Sequence, residues 1–372
     1  MNSKCMRSCF VIVICSILFI SPSFAESKED PQFTSFAVNY QRTGSVSSID
    51  FPYSTTVVWE QKLPMHTSEF NNYSHHQWMV QNSDAIFFHT DTSIVRISKD
   101  AGTILQSTSI PGRIYYGAVT YISDLDVLIC SYFQNDVWSI AIYDPVTLEE
   151  IQVEDGFCFS FGVVSMGVMV VHGKIYYLQY IDECYHLVSL DVGKKPNLVY
   201  SFSKGQYPSS FSVFEEYMYC IVKSSSNSEI ETVLCIDVNT FTVTWKHDFS
   251  VEHSRSAVGF ISYPVCTEAG IFIYQNIHRN GHLYSFHPTN GEMLWEIQLP
   301  HSLTFSSFSL LSNMTITANN ENVCLYTKVS VPWEPNPVNK VFVVSTKDGN
   351  VKRDYTVTDE IQKMLQTDKD IV

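Results

Sequence analysis

The stretch His282–Leu299, HLYSFHPTNGEMLWEIQL, decides the architecture. Its first residues alternate as a strand does, Pro288, Asn290 and Gly291 supply turn chemistry, and a second strand follows with Trp295 inside it. The same grammar recurs at Val233–Phe249, Ile94–Ile110, Ser139–Asp155, Leu187–Phe202 and Val341–Val357, while Val57–Leu63 matches the second strand alone.

Aligned on the Trp295 position, the anchors are Trp59, Gln106, Gln152, Tyr200, Trp245, Trp295 and Arg353, separated by 47, 46, 48, 45, 50 and 58 residues. A period in the forties with four strands per unit is the pattern of propeller blades. In the longest interval, the insertion Pro332-Trp333-Glu334-Pro335-Asn336-Pro337 is unsuited to a central strand. The expected fold is therefore all-β, a β-propeller of four-stranded antiparallel blades, six in number with seven kept open. Val57–Leu63 is expected to help close the ring against the last blade. One such sheet cannot bury both of its faces alone, and the 14% aromatic content suits the wedge between neighbouring blades.

Composition agrees with a large packed core: 372 residues, 45% hydrophobic and 16% charged, which excludes global disorder. The formal charge of -15 speaks against a nucleic-acid partner, because phosphate binding draws on clustered Lys and Arg. Lys4 and Arg7 precede an apolar run, Cys9–Ile20, and Ser23-Phe24-Ala25 offers a cleavage site, so residues 1–25 read as a secretory signal. That run is shorter than the roughly 20 residues a bilayer span needs. The longest later run, Phe161–Val171, is broken by Gly162, Ser165 and Gly167, so no membrane span is expected.

The remaining domain plan is a lead-in segment at 26–56, the propeller at 57–357 and a short helix or tail at 358–372, where Ile361, Met364 and Leu365 are spaced for one helical face. Cleavage of the signal would take the charge to -17 and place the protein outside the cell or in the secretory lumen, or in the periplasm of a bacterium. It would leave seven cysteines: Cys130, Cys158, Cys184, Cys220, Cys235, Cys266 and Cys324. An odd number in an oxidising compartment leaves at least one thiol unpaired. Cys220 and Cys235 lie about equally far from the turn at Asn227-Ser228, which suggests a bridge across a hairpin; two buried free thiols are the alternative. Asn72-Tyr73-Ser74 and Asn313-Met314-Thr315 are glycan acceptor sequences in a eukaryotic host.

Catalytic signals are weak. His278, His282 and His287 flank turns and read as solvated turn histidines rather than metal ligands, and adjacent His75 and His76 would point to opposite faces of a strand. Gly162-Val163-Val164-Ser165-Met166-Gly167 has one residue too many for a nucleophile elbow, and no phosphate loop or dinucleotide fingerprint occurs.

The pattern strand-D-x-x-T/N-G-x-x-x-W-x-x-x-L, best at Leu283–Leu299 and fair at Val233–Phe249, resembles the pyrroloquinoline-quinone-like repeat, as does the lead-in Asn39-Tyr40-Gln41-Arg42-Thr43-Gly44. The resemblance covers about residues 36–357. It implies the propeller fold and, in the quinoprotein dehydrogenases of that superfamily, a bound quinone, Ca2+, an aspartate base and often a disulfide between adjacent cysteines. No two cysteines are adjacent here, and no stretch gathers acidic and amide ligands at calcium-site spacing. The sequence thus points to a non-enzymatic scaffold without cofactor, binding a protein partner or extracellular ligand at the central funnel or on the loops Asn71–His76, Ser224–Ile230 and Val331–Asn339. A quinoprotein-like oxidoreductase and a glycan-binding or glycan-processing propeller are the alternatives.

Overall fold

The computed structural model describes residues 79–357, apart from 91, 113, 115–118, 157–167, 225–229, 251–252, 255–256, 259, 278–279, 300–314 and 330–337, together with 45–46 and 366–367. After a two-residue strand β1 (Ser45–Val46), the chain folds into six consecutive blades. Blade 1 comprises β2 (Met79–Gln81), β3 (Ala85–His89), β4 (Ser93–Ser98) and β5 (Ile104–Ser109). Blade 2 comprises β6 (Val119–Ile122), β7 (Val127–Gln134), β8 (Val137–Tyr143) and β9 (Glu150–Asp155). Blade 3 follows with β10 (Val168–Val171), β11 (Lys174–Ile181), β12 (Cys184–Leu190) and β13 (Asn197–Ser201). In blade 4 the strands are β14 (Gln206–Phe214), β15 (Tyr217–Ser224), β16 (Ile230–Asp237) and β17 (Val243–Ser250).

A small hairpin, β18 (His253–Ser254) with β19 (Ala257–Val258), leads into blade 5. There the innermost strand is split into β20 (Phe260–Ile261) and β21 (Val265–Thr267), both paired with β22 (Gly270–Ile277), ahead of β23 (Asn280–Phe286) and β24 (Met293–Leu299). Blade 6 is β25 (Thr315–Ala318), β26 (Asn322–Val329), β27 (Val338–Ser345) and β28 (Val351–Val357). We name the strands of each blade a to d in chain order. Every pairing within a blade is antiparallel.

The described residues thus form six blades, as the repeat implied. The expected closing strand Val57–Leu63, the signal at 1–25 and the apolar face of Ile361, Met364 and Leu365 lie outside them. Gln366–Thr367 form a strand, β29, parallel to β1.

Burial explains the repeat. The middle strands of each blade are apolar on both faces, as in Val127–Gln134 and Val137–Tyr143, because each sheet is covered on both sides. The core is accordingly a series of layers between blades. One joins blades 1 and 2 through Phe87, Tyr121 and Tyr143, and the next joins blades 2 and 3 through Ile140, Tyr177 and Leu190. Leu178, Phe202 and Cys220 lie between blades 3 and 4, Tyr219, Trp245 and Phe286 between blades 4 and 5, and Phe272, Leu325 and Phe342 between blades 5 and 6. The d strands are mostly exposed, as an outer rim should be.

The anchor position has a specific task. Trp245 Nε1 donates to the carbonyl of Pro288, 2.8 Å away, in the cd turn of the following blade, and Trp295 Nε1 donates to Thr346 O at 2.7 Å in the next. Each indole lies over a glycine of that turn. A Cβ on Gly291 would come within 2.5 Å of the Trp245 ring, and one on Gly349 within 2.9 Å of the Trp295 ring, at φ of +70° and +71°. Where the anchor is not tryptophan, the contact is rebuilt. The Gln152 carboxamide donates to Lys194 O and accepts from the Gly193 N–H, both at 2.7 Å. Tyr200 packs in one cluster with Phe241 of the next blade's turn.

The hairpin hypothesis for Cys220 and Cys235 requires correction. Tyr219 lies opposite Cys235 and Cys220 lies opposite Leu234, so the register is displaced by one residue from the expected pairing. A one-residue displacement sends the two side chains to opposite faces of the sheet. Cys220 packs toward blade 3 and Cys235 toward blade 5, and both thiols are free.

Candidate functional site

The histidines and cysteines do not assemble a reactive centre among the described residues. His282 Nδ1 sits 3.0 Å from Glu296 Oε1 across two strands of blade 5, and His287 accepts from the Thr289 N–H within a cd turn; His278, His75 and His76 lie outside the described residues. No group of three or more His, Cys, Asp or Glu side chains comes together there. Burial pushes the Cys235 and Cys324 thiols up to about 12 and raises those of Cys130 and Cys220 as well, which removes thiolate character at neutral pH. The lowered carboxyls also have structural causes. Asp144 and Asp237 are lowered chiefly by turn N–H groups of Thr147 and Thr240, and Asp348 chiefly by the Ser345 hydroxyl.

Two groups, half-buried His247 and buried Glu231, carry stability rather than chemistry. His247 lies between Phe249 and Phe286, ring centroids 4.7 and 4.8 Å away, and burial holds its imidazole below the ordinary value against the opposing pull of Asp248 and Glu296. The folded state therefore binds its proton less readily than the unfolded chain. The resulting stabilisation is complete above the unfolded pKa of about 6.5 and is lost as the pH falls through the lower folded value. Urea midpoints measured at pH 7.5 and 5.5 should fall toward the acid side in the wild type and fall less in His247→Leu.

Glu231, on β16, is the second: its side chain is 4% exposed, Oε1 meets Lys223 Nζ at 3.0 Å, and Oε2 has no hydrogen-bond partner. Lys223→Met should cost about 2 kcal/mol in chemical denaturation, less than the full penalty for stranding a buried charge because the lysine is half exposed. Adding Glu231→Leu should recover most of that loss.

The surface with binding character lies at the bc turns of blades 2 and 3. Both are two-residue hairpin turns with two successive left-handed residues, Asn135-Asp136 at φ 50° and 64° and Asp182-Glu183 at φ 50° and 64°. This is the turn that right-handed strand twist favours, although its usual residues are Asn and Gly. Just inside the second turn, Tyr180 on β11 lies directly opposite Tyr185 on β12, ring centroids 4.8 Å apart, and Tyr185 meets Tyr207 of β14 at 5.7 Å. Tyr180 and Tyr207 are 48% and 42% exposed, and Ile181 and Val137 are also exposed.

The neighbourhood is held by hydrogen bonds. His186 joins Ser201 Oγ at 2.9 Å and the Ile181 carbonyl at 3.3 Å, while Gln179 Nε2 donates to Asp155 O of blade 2 at 3.1 Å. The array is therefore a row of rings spanning blades 3 and 4, carried on paired strands rather than on long loops. Sequence reasoning missed it. Tyr207 is over twenty residues from Tyr185, and only the topology brings β14 beside β12. The loops expected to bind, Asn71–His76, Ser224–Ile230 and Val331–Asn339, fall largely outside the described residues, as do the acceptor asparagines Asn72 and Asn313.

No family model and no curated protein sequence matches this chain. Solved structures do. BamB from Moraxella catarrhalis aligns at 11% identity and a TM-score of 0.50, over 77% of this chain and 74% of its own. A europium-containing methanol dehydrogenase aligns at 9% identity and a TM-score of 0.55, over 92% and 81%. A quinohemoprotein alcohol dehydrogenase from Pseudomonas putida HK5 aligns at 8% identity and a TM-score of 0.51, over 92% and 75%.

The class is therefore a β-propeller, the fold shared with these structures. At these identities the likeness speaks for the fold and carries no activity with it. No helix among the described residues is long and apolar enough to cross a membrane.

Proposed function

We propose that this protein is a non-enzymatic β-propeller scaffold of the secretory lumen, cell exterior or periplasm, and that it binds a protein partner through the tyrosine surface at the bc turns of blades 2 and 3 and the start of β14. The carrying observation is the row of exposed Tyr180 and Tyr207 with half-buried Tyr185 between them, fixed on paired strands. Tyrosines held this way present large contact area with few rotamers to freeze, and such residues dominate the energetics of protein interfaces. The signal-like segment at 1–25 supports the location.

The test is affinity capture from the secretory fraction of the native host with the wild-type protein and with Tyr180→Ser/Tyr207→Ser. Recovery of one stoichiometric partner by the wild type alone supports the reading. Equal recovery by both proteins, or saturable binding on a glycan array that the tyrosine variant loses, overturns it. N-terminal sequencing of the mature protein should start at Glu26.

A further inference from the structure

The tyrosine row is flanked by acids, and the direction of each strand shows that they share its end of the blades. β11 runs into the Asp182-Glu183 turn and β12 leaves it; β9 ends at Asp155 and β8 starts just after Asp136, all on the bc side, where β14 also begins with Gln206 and Tyr207. Asp136, Asp182 and Glu183 are exposed, whereas Asp155 accepts from the Ser139 hydroxyl at 2.6 Å. Lys204 is paired with Glu183, and Lys223, which lies opposite Tyr207, is paired with Glu231.

Resting on the scaffold reading above, we propose that this surface takes an extended partner segment bearing arginine or lysine, its cationic groups lying on the rings of Tyr180 and Tyr207 and pairing with Asp182, Glu183 and Asp136. Charge complementarity selects this occupant: Asp136, Asp155, Asp182 and Glu183 outnumber Lys204 and Lys223, the latter already paired with Glu231, on a chain of net charge -15, which favours cationic side chains and disfavours an anionic lipid surface or nucleic acid. The Asp182-Glu183 turn gives independent support. A glutamate in a left-handed position is strained where glycine is not, so this site carries its acid at a cost in stability, as residues kept for binding often do.

The experiment uses the full mature chain and three fluorescein-labelled nonapeptides of alternating serine with arginine, glutamine or glutamate, read by anisotropy. The arginine peptide should bind, weaken steeply between 50 and 300 mM salt, and lose at least tenfold in affinity to both Tyr180→Ser and Asp182→Asn/Glu183→Gly. The second variant installs the Asn-Gly pair that this turn prefers, so its unfolding midpoint should rise while its affinity falls. Lost binding in that protein is then not lost folding.

Unchanged affinity in Asp182→Asn/Glu183→Gly overturns the proposal. If the glutamine peptide binds equally and Tyr180→Ser abolishes it, the tyrosine surface stands as a protein-binding site and its basic partner does not. If none of the peptides binds, the proposal fails, while host capture through the tyrosines would still uphold the scaffold reading.

Discussion

Trp245→Ala should lower the stability of the propeller by about 4 kcal/mol, read as a shift in the urea midpoint by far-ultraviolet circular dichroism, and Trp245→Phe by about 1 kcal/mol. The indole is 8% exposed and lies in the layer between blades 4 and 5 with Tyr219, Phe249 and Phe286. Truncation to alanine removes that layer's largest side chain and leaves a gap that β strands, fixed by their ladders, close only in part.

Phenylalanine keeps most of the packing and forfeits the N–H that meets Pro288 O at 2.8 Å. That carbonyl is not stranded by the change, because the Tyr219 hydroxyl donates to it at 3.2 Å and Cys235 Sγ approaches at 3.9 Å. The phenylalanine cost should therefore sit at the low end for a buried hydrogen bond. A loss of several kcal/mol in Trp245→Phe would show instead that the bond, and not the layer, links the two blades. A change in m-value on Trp245→Ala would point to blades separating before the whole ring unfolds.

How much of this was legible beforehand follows from which interactions are local. The blade period was readable because each cd hairpin is contiguous in sequence: turn residues, anchor and flanking alternation all fall within some twenty residues, as in His282–Leu299. The partner of the anchor is in the next blade, yet it could be inferred because the repeat supplies it again at a fixed offset. Register was less accessible. Cys220 and Cys235 are nearly symmetric about the turn, but β15 and β16 pair one residue away from that symmetry, and one residue is the difference between facing and opposed side chains. The tyrosine surface was invisible for another reason. It belongs to two blades, its members occupy no repeat-defining position, and nothing in Tyr180, Tyr185 or Tyr207 distinguishes them from core tyrosines such as Tyr177 and Tyr219, which are fully buried.

The cd turns contain a second rule, which makes the largest coupled effect predictable. At the left-handed position of the turn, blades 1, 3, 5 and 6 carry Gly102, Gly193, Gly291 and Gly349, whereas blades 2 and 4 carry Leu148 at φ 54° and Phe241 at φ 54°. The anchors facing Gly291 and Gly349 are Trp245 and Trp295, and Gly193 is met by the polar Gln152. The bulky turn residues follow blades whose anchors are Gln106 and Tyr200, and Leu148 is itself buried in the layer between blades 1 and 2. Space between blades is thus filled by an indole reaching forward over a turn glycine, or by a turn side chain reaching back, as Leu148 does toward Gln106's blade and Phe241 does beside Tyr200.

Gly291→Phe in the wild type puts both into one space. It should cost about 4 kcal/mol, made of roughly 1–2 for the left-handed backbone and 1–3 for overpacking against Trp245. In a Trp245→Ala background the same substitution enters the gap that the indole leaves, so the double variant should be at least about 2 kcal/mol more stable than additivity allows. Gly193→Phe supplies the contrast. Nothing lies within 4 Å of a Cβ there, so it should show only the backbone cost and no coupling to Trp245. If the Trp245 and Gly291 effects simply add, the turn glycine is kept for its backbone conformation alone, and the reciprocity between anchor and turn in the other blades has no energetic basis.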